Sequence, residues 1–255
     1  MLGRKSASTL GNMKIFCYAF LTLFLLPRNE FAQVGAKPDE ASPSSEPLRE
    51  RMLDENEFFR VSRLDVPIGK VALIGSHKRD LIVIALSEIS LSAHSQSVTP
   101  VPLPEGAVRF VSGETPSAVS SSSAASAQVV VADLKQHWDA EIRECKEPKK
   151  CSHPIVMGPA EIGETTLLFT NGFVMAYRHR LQSGGTLSSS YYSSASRDHL
   201  LFIALSDVHA SFDGEGEQLK AGQVYTSDAT QVEVSAGQTE ARWIVVRVNS
   251  PKHPN

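Results

Sequence analysis

The stretch "KRDLIVIALSE" at residues 78 to 88 returns near the carboxyl-terminal end as "SRDHLLFIALSD" at 196 to 207. If His199 is treated as an insertion, Arg-Asp-Leu and Ile-Ala-Leu-Ser recur in the same order, and both copies close on a carboxylate. Other landmarks follow in parallel. "RLDVPIGK" at 63 to 70 answers "RHRLQSGGT" at 178 to 186, each a strand run into a Gly turn. "PLPEGAVRFVSGETPSAVS" at 102 to 120 answers "EQLKAGQVYTSDATQVEVS" at 217 to 235, and "AQVVVADL" answers "ARWIVVRV". Ordered repetition with only loop lengths changing predicts two copies of one domain.

The texture of each copy is short β-branched and apolar runs punctuated by Gly, Pro and Ser, which predicts antiparallel strands. The fold class expected is therefore all-β. The repeats place a first domain at residues 58 to 134 and a second at 166 to 250. Between them, residues 135 to 165 read as a linker, with one short helix in "DLKQHWDAEIREC" from 133 to 145. Before the first domain, "KPDEASPSSEP" at 37 to 47 is rich in Pro, Ser and charge, so residues 37 to 57 read as a disordered leader, with a helical turn or two over 48 to 57.

The amino terminus reads as a secretory signal over residues 1 to 36. Arg4, Lys5 and Lys14 precede the apolar run "IFCYAFLTLFLL", and small residues suited to cleavage follow, best after Ala36 and second after Ala32. Met13 is a second candidate start. Twelve apolar residues are short for a bilayer span. The expected destination is secreted or periplasmic, with no membrane association after cleavage. Cys17 would leave with the signal. Cys145 and Cys151, in "ECKEPKKCSHP", then meet oxidising conditions and are expected to pair as a short-loop disulfide; a metal pair or a reactive thiol are the alternatives. With a net charge of -3, no basic excess points to nucleic acid.

The order of landmarks, and above all "LKAGQV" at 219 to 224 after "LLFIALSD" at 200 to 207, resembles the cupin superfamily. Taken as two copies, residues 58 to 250 resemble a bicupin. The resemblance implies two small jelly-roll barrels in tandem, each closing its strands around an interior pocket. In metal-binding cupins, three histidines and a carboxylate converge there on a divalent metal.

This chain departs from that pattern. From Gly184 to Asp198 there is no histidine, with Ser, Tyr191 and Tyr192 where a His pair would fall. Gln231 takes the place of the remaining metal His and Ser235 that of an Asn. The first copy keeps only His77. No cofactor is expected, a divalent metal being the alternative, with His179, His199 and His209 gathering from three strands of the second copy. Leu201, Ile203 and Leu205 share the His199 face, which reads equally as packed core. His94, His137, His153 and His253 fall in loops or the linker.

The recurring pairs Arg79-Asp80 and Arg197-Asp198 read either as a charged rim that grips a polar ligand or as a local anchor of the strand. The candidate ligand-binding set is Tyr192, Arg197, Asp198, His199 and Gln231. No nucleophile elbow, P-loop, zinc-protease motif or dinucleotide fingerprint occurs, and "FDGEGEQ" at 212 to 218 reads as a hairpin turn rather than a calcium loop. The expectation is an exported, non-catalytic protein with paired barrels that binds a small polar ligand or serves as a structural or interaction module. A metal-dependent oxygenase, isomerase or sugar-modifying enzyme is the alternative.

Overall fold

The computed structural model describes residues 48–249 except 76–78, 94–98, 115, 123, 137–142, 146, 158–159, 172 and 188–197. The first half comprises β1 (Arg49–Glu55), β2 (Phe59–Val66), β3 (Val71–Ile74), β4 (Leu81–Ala85), β5 (Ile89–Ala93), β6 (Val101–Leu103), β7 (Val108–Val111), β8 (Ser117–Ser121) and β9 (Ala127–Leu134). These form two antiparallel sheets in the orders β1-β2-β9-β4-β7 and β3-β8-β5-β6.

After β10 (Arg143–Glu144), a single helical turn α1 (Pro148–Cys151) and β11 (Ser152–Met157), the second half runs through β12 (Ala160–Thr170), β13 (Val174–Leu181) and β14 (Thr186–Leu187). It continues with β15 (Asp198–Ala204), β16 (Val208–Phe212), β17 (Glu215–Leu219), β18 (Val224–Ser227), β19 (Val232–Ser235) and β20 (Ala241–Asn249). Its sheets run β10-β12-β13-β20-β15-β18, with β11 also on β12, and β14-β19-β16-β17. With β12 read for β1 and β20 for β9, the two halves have one strand order, as two jelly-roll barrels require.

The agreement extends to single rungs. A bulge interrupts β1 between Met52 and Asp54 and interrupts β12 between Leu167 and Phe169. Asn56 Oδ1 accepts the amides of Phe58 and Phe59, and Asn171 Oδ1 those of Phe173 and Val174, so one Asx turn shapes both hairpins. Gly69 and Gly184 both take φ of 72°, and Gly106 and Gly222 take 75° and 80°, a left-handed backbone that favours glycine.

The repeated "IALS" has a physical cause. The strands β4 and β15 are apolar without alternation because both of their faces are buried. Leu81, Val83 and Ala85 enter the first barrel's interior, and Leu200, Phe202 and Ala204 the second's. Ile82, Ile84, Leu201 and Ile203 turn the other way into a third core, shared with Val61, Val130, Ala176, Ile244 and Val246, where the two barrels pack outer face to outer face. The serine that ends each run is a clasp. Ser87 Oγ accepts the Gln128 amide at 2.9 Å, and Ser206 Oγ the Arg242 amide at 2.8 Å. Ser87→Ala and Ser206→Ala are each expected to cost about 1 kcal/mol in chemical denaturation, and to add in the double variant because the clasps share no partner.

Several expectations need correction. Residues 49–55 are neither leader nor helix but the edge strand β1, so the first barrel begins before residue 58. The charged stretch "RERMLDE" is what an edge strand tolerates, since charge blunts an otherwise open ladder. The linker also ends early: β12 starts at Ala160 and pairs with β13, so residues 160–165 belong to the second barrel. The described ends of the expected 133–145 helix are strand (the end of β9, and β10), and residues 137–142 lie outside the described residues. The helical turn falls instead at Pro148–Cys151. Nor is His199 an insertion. His199 pairs with Val248 as Asp80 stands against Leu134, whose amide reaches the Asp80 carbonyl at 2.8 Å. Asp80 and His199 thus share a rung, Arg79 matches Asp198, and the Arg-Asp pairs do not coincide.

The segment 1–47, with the expected signal and most of the leader, lies outside the described residues. Among those described, no helix is long and apolar enough to cross a membrane. Cys145 and Cys151 form the expected disulfide, with Cα atoms 6.3 Å apart. It ties β10 to β11, both of which lie along β12.

Candidate functional site

The polar centre of the second barrel is a row of three side chains on adjacent strands. Thr165 on β12 stands opposite His179 on β13, which stands opposite Trp243 on β20. Thr165 Oγ1 lies 2.9 Å from His179 Nδ1. The imidazole stacks on the Trp243 indole with ring centroids 5.0 Å apart. His179 is 1% exposed, and this burial pushes its pKa down from 6.5 to about 3, which keeps the ring neutral. Around the row the barrel is filled by Leu181, Leu200, Phe202, Phe212, Val232 and other apolar side chains.

The other histidines of the expected trio point elsewhere. His199 faces the inter-barrel side of β15 and stacks on Phe58 of the first barrel, ring centroids 3.8 Å apart. His209 is exposed on β16, where Val208 and Ala210 take the inward positions. Strand alternation and the two-sided burial of β15 therefore send the three rings to the interior, the inter-barrel face and solvent. Among the described residues, no group of three or more His, Cys, Asp or Glu side chains is placed to hold a metal ion.

The remaining candidates fare unevenly. Gln231 is exposed, and its backbone amide reaches Asp213 Oδ1 at 2.8 Å, while Val232 and Val234 fill the interior. Neighbouring side chains on a strand face opposite ways, so Gln231 stands off the inward row of Val232 and Val234. Tyr192, Arg197 and the Asp198 side chain lie outside the described residues, as do Tyr191, His77, His94, His137 and His253. His153 is exposed on β11. Asp80 serves as an anchor: its buried carboxylate accepts the Gly113 amide at 3.0 Å. Asp207, which closes the second repeated run as Glu88 closes the first, binds Lys220 Nζ at 2.6 Å and the Ala221 amide at 3.2 Å, so it latches the turn before β18. The Lys220 bond and then the Ala221 amide hold its pKa below the ordinary aspartate value.

Two clefts lined by described residues lie outside the barrels, where the β1-β2 or β12-β13 hairpin of one barrel meets the Gly turn of the other. One cleft of about 340 Å³ lies between β12, β13 and the Gly106 turn. Its charges cancel in pairs: Arg242 with Glu105 at 3.1 Å, and Arg180 with Glu164 at 3.5 Å and Glu240 at 3.9 Å. The Ser152 hydroxyl is the first cause of a lowered Glu164 pKa, ahead of the Arg178 and Arg180 charges. The corresponding cleft between β1, β2 and the Gly222 turn is about 520 Å³ and lined by Arg51, Leu53, Arg63, Asp65, Leu219 and Val224 among others. Sequence reasoning missed both clefts, although Arg63 and Arg178 head the repeated strand-and-turn stretches and share one rung.

No family model matches the chain, nor does any curated protein sequence. Solved structures do. A putative glyoxylate-induced protein from Pseudomonas aeruginosa superposes with a TM-score of 0.60 at 14% identity, covering 82% of this chain and 82% of that one. A variant oxalate decarboxylase from Bacillus subtilis gives 0.54 at 12% identity, over 78% and 72% of the two chains. Vicilin from hazelnut, Corylus avellana, gives 0.52 at 10% identity, over 80% and 85%. At such identities the likeness establishes the fold alone. That fold is the cupin jelly roll, in two barrels.

Proposed function

From a chain that carries the cupin fold in two barrels, we propose an exported protein, secreted or periplasmic, that works by binding rather than catalysis. It holds a small polar ligand or serves as an interaction module. The divergence of His179, His199 and His209 carries this reading, because a metal enzyme of this architecture needs its imidazoles on one ion. The apolar side chains that line both interiors support it further, since they offer a polar substrate few groups to hold it. We also read the two barrels as an internal duplication, supported by the shared strand order, the matched bulges and the paired Asx turns.

The reading is tested on protein purified from metal-replete cells. Metal analysis is expected to give well below one equivalent of Fe, Mn, Ni, Cu or Zn. A thermal-shift screen of sugars and organic acids is expected to return at least one saturable rise, because a ligand that binds only the native state stabilises it. A full equivalent of metal, removed by His199→Ala, would favour the oxygenase, isomerase or sugar-modifying alternative. A screen with no saturable shift would leave the interaction module as the surviving form of the reading.

A further inference from the structure

We propose that the cleft between β1, β2 and the Gly222 turn is the ligand site, and that it takes a small organic molecule bearing an oxyanion, a carboxylate or a phosphate ester. The proposal rests on the binding reading above and deepens it. Arg51 and Arg63 stand directly opposite one another in the β1-β2 ladder, so their side chains leave the same face side by side. Like charges at such a rung are mutually destabilising unless something negative lies between them. Among the described lining residues, Asp65 alone is acidic. It meets Arg63 Nε at 3.4 Å, and Arg63 Nη1 donates to the Gly222 carbonyl at 3.5 Å. Two guanidinium groups against one carboxylate leave a net positive cleft in a chain whose net charge is -3.

The matching cleft supplies the contrast. At the Arg51 rung it has Thr166, opposite Arg178, and its three arginines face three glutamates. The surplus of positive charge therefore belongs to one cleft of the pair. Guanidinium groups hold carboxylate and phosphate oxygens through parallel hydrogen bonds, so two of them clasp one oxyanion from adjacent strands. Leu53, Leu219 and Val224 add an apolar wall for the body of the ligand, and about 520 Å³ is within the range of small-molecule sites.

The test is calorimetric titration of the purified protein with phthalate and with phenyl phosphate, and with benzyl alcohol as the uncharged control. Saturable binding of at least one anion and none of the alcohol is expected, and the tighter anion identifies the carboxylate or the phosphate source. Arg51→Gln and Arg63→Gln are each expected to weaken binding tenfold or more, with Arg51→Lys recovering part of the loss and Arg178→Gln changing nothing. Both arginines are at the surface, so circular dichroism should show the variants folded. Failure of both anions to bind overturns the oxyanion assignment. Binding that Arg51→Gln and Arg63→Gln leave unchanged, or that Arg178→Gln weakens equally, overturns the cleft assignment. In either case a saturable ligand from the wider screen leaves the binding reading standing.

Discussion

Trp243→Ala is expected to destabilise the protein by roughly 3–5 kcal/mol, seen as a lowered urea midpoint. The indole is fully buried. It is held between the His179 ring and the Phe202 ring, whose centroid is 6.1 Å away. The strand that carries it is paired on both sides, to β13 and β15. Backbone so fixed does not collapse into the void, and the loss of stacking also leaves the buried imidazole poorly packed. Trp243→Phe keeps most of the volume and is expected to recover most of the loss. A cost below 1 kcal/mol for the alanine variant would contradict the packed interior described above.

Acid is expected to weaken the fold through His179. The folded protein keeps this imidazole neutral down to a pH of about 3, whereas the unfolded chain takes up a proton below about pH 6.5. A pKa lowered by folding means that stability is fully present above pH 6.5 and is lost as the pH falls toward 3, by about 1.4 kcal/mol per pH unit. Between pH 7.5 and 4.5 the loss is about 3 kcal/mol. Glu55, Glu164, Asp207 and Asp213, whose folded pKa values are also lowered, lose stability in the same direction at more acid pH. The difference between wild type and His179→Gln isolates the histidine. Denaturant titrations at pH 7.5, 6 and 4.5 should show the wild type falling and the variant nearly level across this window. Parallel lines for the two proteins would mean that His179 is not held neutral.

The two-barrel fold was legible because its signal is local and written twice. The apolar runs of β4 and β15, the serine that clasps each, and the glycines at 69 and 184 each recur for a mechanical reason. The elements that escaped lack such a signature. The charges of β1 look like solvated chain until a neighbouring strand is known to lie beside them. The strand β12 is half polar, and its Thr165 read as the end of the linker although it is buried. Asn56 and Asn171 did leave a trace, in the repeated Asn-x-Phe of "NEFF" and "NGFV".

The site was less legible, for physical reasons. Whether His199 lies in a pocket or between barrels depends on what covers the outer face of β15, and for His199 that cover is Phe58, at the far end of the other barrel's sequence. Gln231 stands outside the inward row because one step along a strand turns a side chain to the other face. The Arg51–Arg63 rung was invisible because β1 was not recognised as a strand, and without its ladder the two arginines have no reason to meet.

The rung-by-rung correspondence of the barrels makes the molecule its own control. Where the second barrel pairs His179 with Trp243, the first pairs Leu64 with Val129 on the same rung of the same two strands. The chain thus already contains the wholly aliphatic filling of this architecture beside the aromatic and titratable one. Closing such a barrel does not demand an imidazole, so the acid sensitivity of the second half is a property of its side chains and not of its topology. Transplanting the Leu-Val pair into the second barrel separates the two without changing a strand.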